Sequence, residues 1–259
     1  MKEQIETAVP RRKFVVGDSD EACNTATGHS YETLAPIIKN TTTMAEIDKN
    51  DKYTRTKFDA YLGHYMNFGS YLSSYENAFK ALIDSVNNSG FHVDYLAYPI
   101  LFTARHSLEL GFKANIRYFS QYSEKSDFTN SDSHNLKDLF SGFKIHVRES
   151  IKKLKEKYDI EVEKDDINDF EAYCKAVDSL VDRFDILDKG SFCFRYPVDK
   201  DNKRVFKSTD IVNILDIKEL FDKAMTLLNH TADIFSKYTD YADYIEKTYE
   251  DEMKSAYGY

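Results

Sequence analysis

The stretch YPILFTARHSLELGFKANIRYF, residues 98–119, has the periodicity of one amphipathic helix, and it decides the fold predicted for this chain. On a helical wheel of about 100° per residue, its large apolar side chains fall within an arc of about 80°. These side chains are Leu101, Leu108, Phe112, Ile116 and Phe119. Arg105 falls inside the same arc, and Glu109 lies at its edge. Two charges are therefore predicted on the face that the fold should bury.

This charged pair has two explanations, and the sequence leaves both open. Arg105 and Glu109 are four residues apart, so they can form a salt bridge along one helix. Burying a charge is costly unless it is paired and hydrogen-bonded. The pair is therefore either a structural salt bridge to a neighbouring helix or part of a polar cleft that meets substrate or nucleic acid. His106 and Lys113 border the same stripe and are candidates for such a cleft.

The remaining periodicity predicts a mainly all-α protein, a multi-helix up-down bundle with a small β-hairpin insertion. Helical patterns cover residues 53–86, 94–119, 133–158, 168–187 and 216–250. Asp216 and Glu219 have the spacing of a capping box at the start of the last helix. Alternating side chains on both sides of the turn sequence DKDNK predict the β-hairpin at residues 191–207.

Two regions of the chain differ in composition and in helical periodicity. Residues 1–45 are small, polar and without clear periodicity, which predicts an irregular N-terminal arm that could hold a short helix near Glu32–Lys39. Residues 46–259 are predicted to form a single helical domain that includes the hairpin insertion. The acidic segment YEDEMKSAYGY at the end could either dock on a partner or stay mobile.

Composition narrows the class of protein. With 42% hydrophobic and 31% charged residues, the 259-residue chain is typical of a globular protein with an ample core. A net charge of −9 argues against a basic field over the whole surface, although it leaves room for a local basic patch. The sparse cysteines and the lack of a signal or membrane-spanning pattern favour the cytoplasm.

The sequence offers no cofactor or metal motif. Phosphate-binding glycine loops of the GxxxxGK[ST] and GxGxxG types do not occur, and neither does HExxH. The three cysteines, Cys23, Cys174 and Cys193, form no CxxC pair, which argues against a zinc site. We therefore expect neither a metal nor a cofactor.

Two further residues are candidates for chemistry. His134 lies in the predicted first turn of the third helix, where the partial positive charge of the helix terminus disfavours a protonated imidazole. Such a histidine can accept a proton near neutral pH, or it can simply cap the helix. Arg195, in the segment FRYP, either reaches over a face of the bundle or points into solvent.

The segments RHSLELGFK, HNLKDLF and FRYPVDKDNK resemble a pattern in bacterial proteins of the HEPN type. These are small all-α bundles found in toxins, abortive-infection systems and other conflict modules. The resemblance covers residues 95–207, with the bundle running from 53 to 250. Many such proteins are metal-independent ribonucleases, so the resemblance implies an RNA substrate and the bacterial defence role of the family.

On this resemblance, the candidate catalytic residues are Arg105, His106, Glu109 and His134. Either histidine would take the proton of an RNA 2′-hydroxyl as a general base. Arg105 would hold the phosphate and be oriented by Glu109. Lys113 and Arg195 are the expected substrate-binding residues.

The chain departs from the family at one point. Family nucleases carry an Arg followed by a His after four to six residues, whereas His106 directly follows Arg105 here. Members without that spacing are read as binding or scaffolding domains. The alternative is therefore a catalytically inactive module that engages a partner protein or RNA, and a homo-oligomer, most simply a homodimer, is expected. The acidity of the chain favours a protein partner.

Overall fold

The computed structural model describes residues 56–60, 62–63, 66–89, 92–124, 133–188 and 191–258. Within these ranges the chain forms helices α1 (Phe68–Ser89), α2 (Val93–Ser123), α3 (Leu136–Tyr158), α4 (Lys164–Asp188) and α5 (Ile214–Tyr257). The predicted all-α bundle is confirmed. The helices belong to one compact unit, Arg55–Tyr259. The predicted irregular arm at 1–45 and the short helix near Glu32–Lys39 lie outside the described residues.

Helix α2 lies at the centre of the bundle. It packs against α1, α3 and α5, while α4 packs against α3 and α5. The wheel predicts which face of α2 is buried, and all five of its large apolar residues are indeed buried: Leu101, Leu108, Phe112, Ile116 and Phe119. Because neighbours surround α2 on several sides, its charged residues are enclosed together with the apolar ones.

Helices α2 and α5 cross at very close range. A Cβ atom at Gly111 would lie 2.6 Å from Cδ1 of Leu228 and 3.2 Å from its Cβ. One turn further along α2, Nδ2 of Asn115 donates to the carbonyl oxygen of Leu228 at 2.9 Å. The absent side chain and the buried hydrogen bond together fix where the two helices meet.

The observed helix starts differ from the predicted ones in α1, α3, α4 and α5. Helix α3 begins at Leu136 with Asn135 as its N-cap, so the prediction that His134 lies in its first turn is wrong. Helix α1 begins at Phe68, and residues 58–60 and 62–63 lie outside any helix, although the helical pattern starts at 53. Helix α4 begins at Lys164, four residues before the predicted start. Helix α5 is capped by Asn213, whose side chain accepts from the Leu215 N–H, so the predicted capping box at Asp216 is wrong. An Asn one turn earlier supplies the same acceptor to the first free N–H groups.

The predicted β-hairpin at 191–207 is not formed. This segment, which we call the 191–207 loop, contains one isolated antiparallel bridge between Val198 and Arg204 and no strand. Oδ1 of Asp188 accepts from the N–H groups of Phe192 and Cys193 at 2.6 and 2.9 Å. Pro197 has no N–H to give to a strand partner. The alternating pattern is therefore overridden by a cap at the end of α4.

Among the described residues, no helix combines the length and apolar character that crossing a bilayer requires.

Candidate functional site

Arg105 is the most deeply enclosed charged residue in the described part of the chain, with 1% of its surface exposed. Its Nη1 donates to Oε2 of Glu109 at 3.2 Å, and its Nη2 donates to the carbonyl oxygen of His134 at 2.6 Å. Its Nε donates to the carbonyl oxygen of Asp188 at 3.2 Å and lies 3.4 Å from the Asp188 carboxylate. One guanidinium thus joins α2 to the start of α3 and the end of α4.

Glu109 divides its two oxygens between three partners. Oε2 accepts from Arg105, while Oε1 accepts from Nζ of Lys113 at 3.0 Å and lies 2.7 Å from Nδ1 of His134. Burial alone would raise the pKa of this carboxyl, but the hydrogen bonds from Lys113 and His134 outweigh burial and hold the pKa below its ordinary value. Glu109 is therefore a carboxylate at neutral pH.

Asp188 closes the far side of the arrangement. Its side chain is 1% exposed, and its carboxylate both faces Nε of Arg105 and accepts the backbone N–H groups of Phe192 and Cys193. The residue thus connects the buried arginine to the 191–207 loop. We call Arg105, Glu109, Lys113, His134 and Asp188 the Arg105 cluster. It holds two cations and two anions, so it is neutral when the imidazole of His134 is neutral.

His134 is the member of the Arg105 cluster that faces solvent. Its side chain is 67% exposed, and Asn135, directly after it, caps α3 by accepting from the N–H groups of Lys137 and Asp138. Because Glu109 is ionised, the Nδ1 atom of His134 carries the proton that the carboxylate accepts. Among the described residues Nε2 has no hydrogen-bond partner, so in the neutral imidazole its lone pair is open to a ligand.

His106 lies on another face of α2. Its ring is stacked on Phe102, with centroids 5.6 Å apart, and meets the edge of Tyr75 at 4.4 Å. Burial lowers the pKa of its imidazole, Glu109 works in the opposite direction, and the positive charges of Arg105, Lys113 and Arg195 lower it further. His106 is thus a neutral aromatic packing residue near the cluster rather than a member of it.

Arg195 is exposed on the 191–207 loop. Its guanidinium donates to the carbonyl oxygen of Ser191 and lies over the ring of Tyr196, 5.8 Å from the centroid. No hydrogen bond joins it to the Arg105 cluster within the described ranges. The structure therefore brings together Arg105, Glu109, Lys113 and His134 of the residues expected from the sequence, and leaves His106 and Arg195 beside them.

Asp188 is the site residue that sequence reasoning missed. It lies 83 positions from Arg105 along the chain, and nothing in local periodicity connects the two. The one available signal was a charge balance: a buried arginine with a single predicted carboxylate partner requires further acceptors. This balance calls for a second acidic partner, but it does not indicate where in the chain that partner lies.

Outside the Arg105 cluster, the described residues line two surface cavities and offer no metal site. No group of three or more His, Cys, Asp or Glu side chains there is arranged to hold a metal ion. One surface cavity, of about 270 Å³, is lined mainly by residues of α2, α3 and α5. A second, of about 190 Å³, is lined by residues of α4 and α5. Neither cavity includes a member of the Arg105 cluster.

Comparison of the chain with protein-family models, with curated proteins and with solved structures gives no match.

Proposed function

We propose that this chain is a HEPN-like helical protein of a bacterial defence or toxin-type system, and that it is a metal-independent endoribonuclease with His134 as its general base. One observation supports the proposal above the others. The imidazole of His134 is 67% exposed while its Nδ1 lies 2.7 Å from a buried carboxylate oxygen of Glu109. A carboxylate that fixes the tautomer and orientation of an exposed imidazole is the arrangement that general-base histidines use.

The chemistry needs few groups. Nε2 of His134 takes the proton of an RNA 2′-hydroxyl, the 2′-oxygen attacks the adjacent phosphorus, and the 5′-oxygen leaves with a proton from water. The imidazolium that forms adds one positive charge to the Arg105 cluster. The negative carboxylate of Glu109 lies directly beside it and stabilises it. Arg195, exposed on the neighbouring loop, is the proposed substrate-binding cation, while Lys113, whose side chain is 10% exposed, holds the same carboxylate oxygen of Glu109 from inside the bundle.

Arg105 enters this proposal as a positioning residue. Its guanidinium is 1% exposed and donates to three protein acceptors, which leaves it no surface on which to meet a phosphate. It acts instead by holding the backbone of His134 and the side chain of Glu109 in place. His106 likewise supports the packing of α2 rather than taking the proton.

The test is an RNA cleavage assay with the full chain. A fluorescent single-stranded RNA is incubated with the protein in EDTA, and the products are separated by size. We expect cleavage to a 2′,3′-cyclic phosphate, lowered ~10²–10⁴-fold by His134→Ala. His230→Ala, which changes another exposed histidine, is the matched control and should cleave as the parent does. Intact RNA with folded parent protein, or equal cleavage by His134→Ala, would refute the proposal.

A second candidate is a catalytically inactive HEPN-like module that engages a partner protein, and one observation favours it. The last turns of α5 expose large side chains: Tyr241, Tyr244, Tyr249, Met253 and Tyr257. The last three continue the helical face that packs on the bundle through Phe235, Tyr238 and Ala242, and so extend it beyond the core. Tyrosine is enriched at protein interfaces. Sedimentation of the pure protein tests the simplest such partner, a second copy of the chain. The parent should sediment as a homodimer, and the double variant Tyr249→Ala, Tyr257→Ala should sediment as a monomer.

A further inference from the structure

The 191–207 loop differs in charge from the rest of the protein. It contains five basic residues, namely Arg195, Lys200, Lys203, Arg204 and Lys207, against two acidic residues, Asp199 and Asp201. The whole chain has a net charge of −9, so this loop is a basic segment on an acidic protein. A local patch of this kind attracts polyanions even when the total charge does not.

These basic side chains are available to a ligand. All five belong to exposed residues, and in the described part of the chain none of them forms an ion pair. The lysines of α3 behave differently, since Lys144, Lys155 and Lys157 each pair with a carboxylate at 2.5–3.1 Å. The carboxylate of Asp199 is engaged within the loop, where it accepts the N–H groups of Asp201 and Lys203 at 2.9 Å each.

Exposed aromatic rings accompany the charges. Phe192 and Tyr196 are stacked with centroids 4.6 Å apart, and Tyr196 is 50% exposed. The guanidinium of Arg195 lies over the same tyrosine ring. On the neighbouring helix α2, Tyr98 is also 50% exposed and lies 6.0 Å from the ring of Phe206. Exposed rings among cations that form no ion pair are the combination that stacks unpaired bases and neutralises phosphates.

The loop is held in place rather than loosely attached. Phe194 is 6% exposed and meets the edge of Phe184 at 6.1 Å, which anchors the loop in the core. Asp188 accepts the N–H groups of Phe192 and Cys193 and faces Nε of Arg105. The guanidinium of Arg105 also donates to the carbonyl oxygen of His134 at 2.6 Å. The loop and His134 are therefore positioned from two sides of one buried arginine.

We infer that the 191–207 loop is a binding surface for single-stranded nucleic acid, in which Tyr196 stacks on a base and the loop cations contact the phosphates on either side. A single strand fits better than a duplex because the exposed ring needs an unpaired base to stack against. The inference rests on the proposed function in one respect: it supplies the surface that holds the strand near His134.

The experiment measures binding separately from chemistry. A fluorescein-labelled 15-mer of deoxythymidine has no 2′-hydroxyl and cannot be cleaved by the proposed route, so its fluorescence anisotropy with the full chain reports binding alone. A blunt DNA duplex of equal length and a polyglutamate peptide are the competitors. We expect the single strand to bind and both competitors to displace it poorly.

Two variants and two matched controls locate the surface. Tyr196→Ala should weaken binding about tenfold. Replacing Lys200, Lys203 and Arg204 with Ser together should weaken it at least tenfold and flatten the salt dependence by about 0.7 log units of affinity per log unit of salt for each lost phosphate contact. The control for the tyrosine is Tyr241→Ala, since Tyr241 is 55% exposed. The control for the cations is the triple variant Lys152→Ser, Lys155→Ser, Lys254→Ser, at three ion-paired lysines. Each control should change the dissociation constant less than twofold.

The outcomes separate this inference from the proposed function. The inference fails if the folded parent does not bind the strand at low salt, or if the triple variant binds as the parent does. It also fails if polyglutamate competes as well as the strand, which would indicate an acidic protein partner. A parent that binds the strand but leaves RNA intact would support the loop and refute the nuclease.

Discussion

Nε of Arg105 lies 3.4 Å from the carboxylate of Asp188, and each side chain is 1% exposed, so α2 and α4 are joined by a salt bridge that water does not reach. The isolated burial of either charge would cost several kcal/mol, and only the complete set of partners makes the burial tolerable. The carboxylate of Glu109 and the carbonyl oxygens of His134 and Asp188 complete that set. The cluster is therefore sensitive to loss of any one charge.

Replacing Arg105 with Met should lower the free energy of unfolding by about 3–5 kcal/mol, because Glu109 and Asp188 would each lose a buried partner. Urea unfolding followed by circular dichroism measures the change. Arg148→Met is the matched control, since Arg148 is half-exposed and pairs with Glu171 at the surface at 2.7 Å. It should cost no more than about 1 kcal/mol. Equal stability losses in the two variants would contradict a structural role for the buried arginine.

Glu109 should make the protein sensitive to acid. Its pKa is lower in the folded chain than the ordinary value of 4.5, so its stabilisation is complete above that value and is lost as the pH falls through the folded pKa. Glu109→Gln should therefore be less stable than the parent at pH 7 and should lose less stability below pH 4.5. Unfolding by urea at a series of pH values measures both effects.

A comparable change at an exposed residue supplies the control for the acid experiment. Glu250 is on the surface, where it lies 3.5 Å from Lys254. Because its ion pair with Lys254 is exposed to solvent, Glu250→Gln should change the free energy of unfolding at pH 7 by no more than about 1 kcal/mol. A pH dependence that Glu109→Gln leaves unchanged would mean that another carboxyl dominates acid unfolding.

His106 should contribute its own loss of stability at mildly acid pH. Its folded pKa lies below the ordinary 6.5, chiefly because burial penalises the charged imidazole. As the pH falls below 6.5 the unfolded chain takes up the proton first, so stability falls until the folded pKa is passed. His106→Gln should lose less stability than the parent between pH 7.5 and 5.5, measured by urea unfolding.

Gly111→Ala should destabilise the bundle by about 1–3 kcal/mol, because the new Cβ would overlap Leu228. Rotation of Leu228 relieves the 2.6 Å contact with its Cδ1 but not the 3.2 Å contact with its Cβ. Thermal unfolding measures the loss. Gly69→Ala, whose new Cβ meets only Asn67 at 3.4 Å, should be near neutral. An unaltered melting temperature in Gly111→Ala would show that the helices separate at little cost.

Much of the candidate site follows from one helical period. The wheel places Arg105 on the buried face of α2, and the four-residue spacing places Glu109 within reach of it; the two side chains meet at 3.2 Å. The wheel does not place His106 with equal success, because a neighbouring residue points about 100° away around the helix. It therefore meets Tyr75 and Phe102 instead.

The 191–207 loop shows the opposite case. Its alternating side chains predict strands, yet its first backbone N–H groups are taken by Asp188 and its sequence is interrupted by Pro197. Strand pairing depends on which acceptors lie nearby in three dimensions, and a helix end supplied them first. Local alternation alone does not contain that information.

The sequence by itself determined the helical class, the buried face of α2 and the charged pair within it, because a helical period relates residues only three or four positions apart. Only the tertiary structure decided that Asp188 and the carbonyl oxygen of His134 complete the coordination of Arg105, and that the guanidinium is enclosed while the imidazole faces solvent. Those partners come from the ends of two other helices, and their meeting depends on how whole helices pack, which no local spacing records.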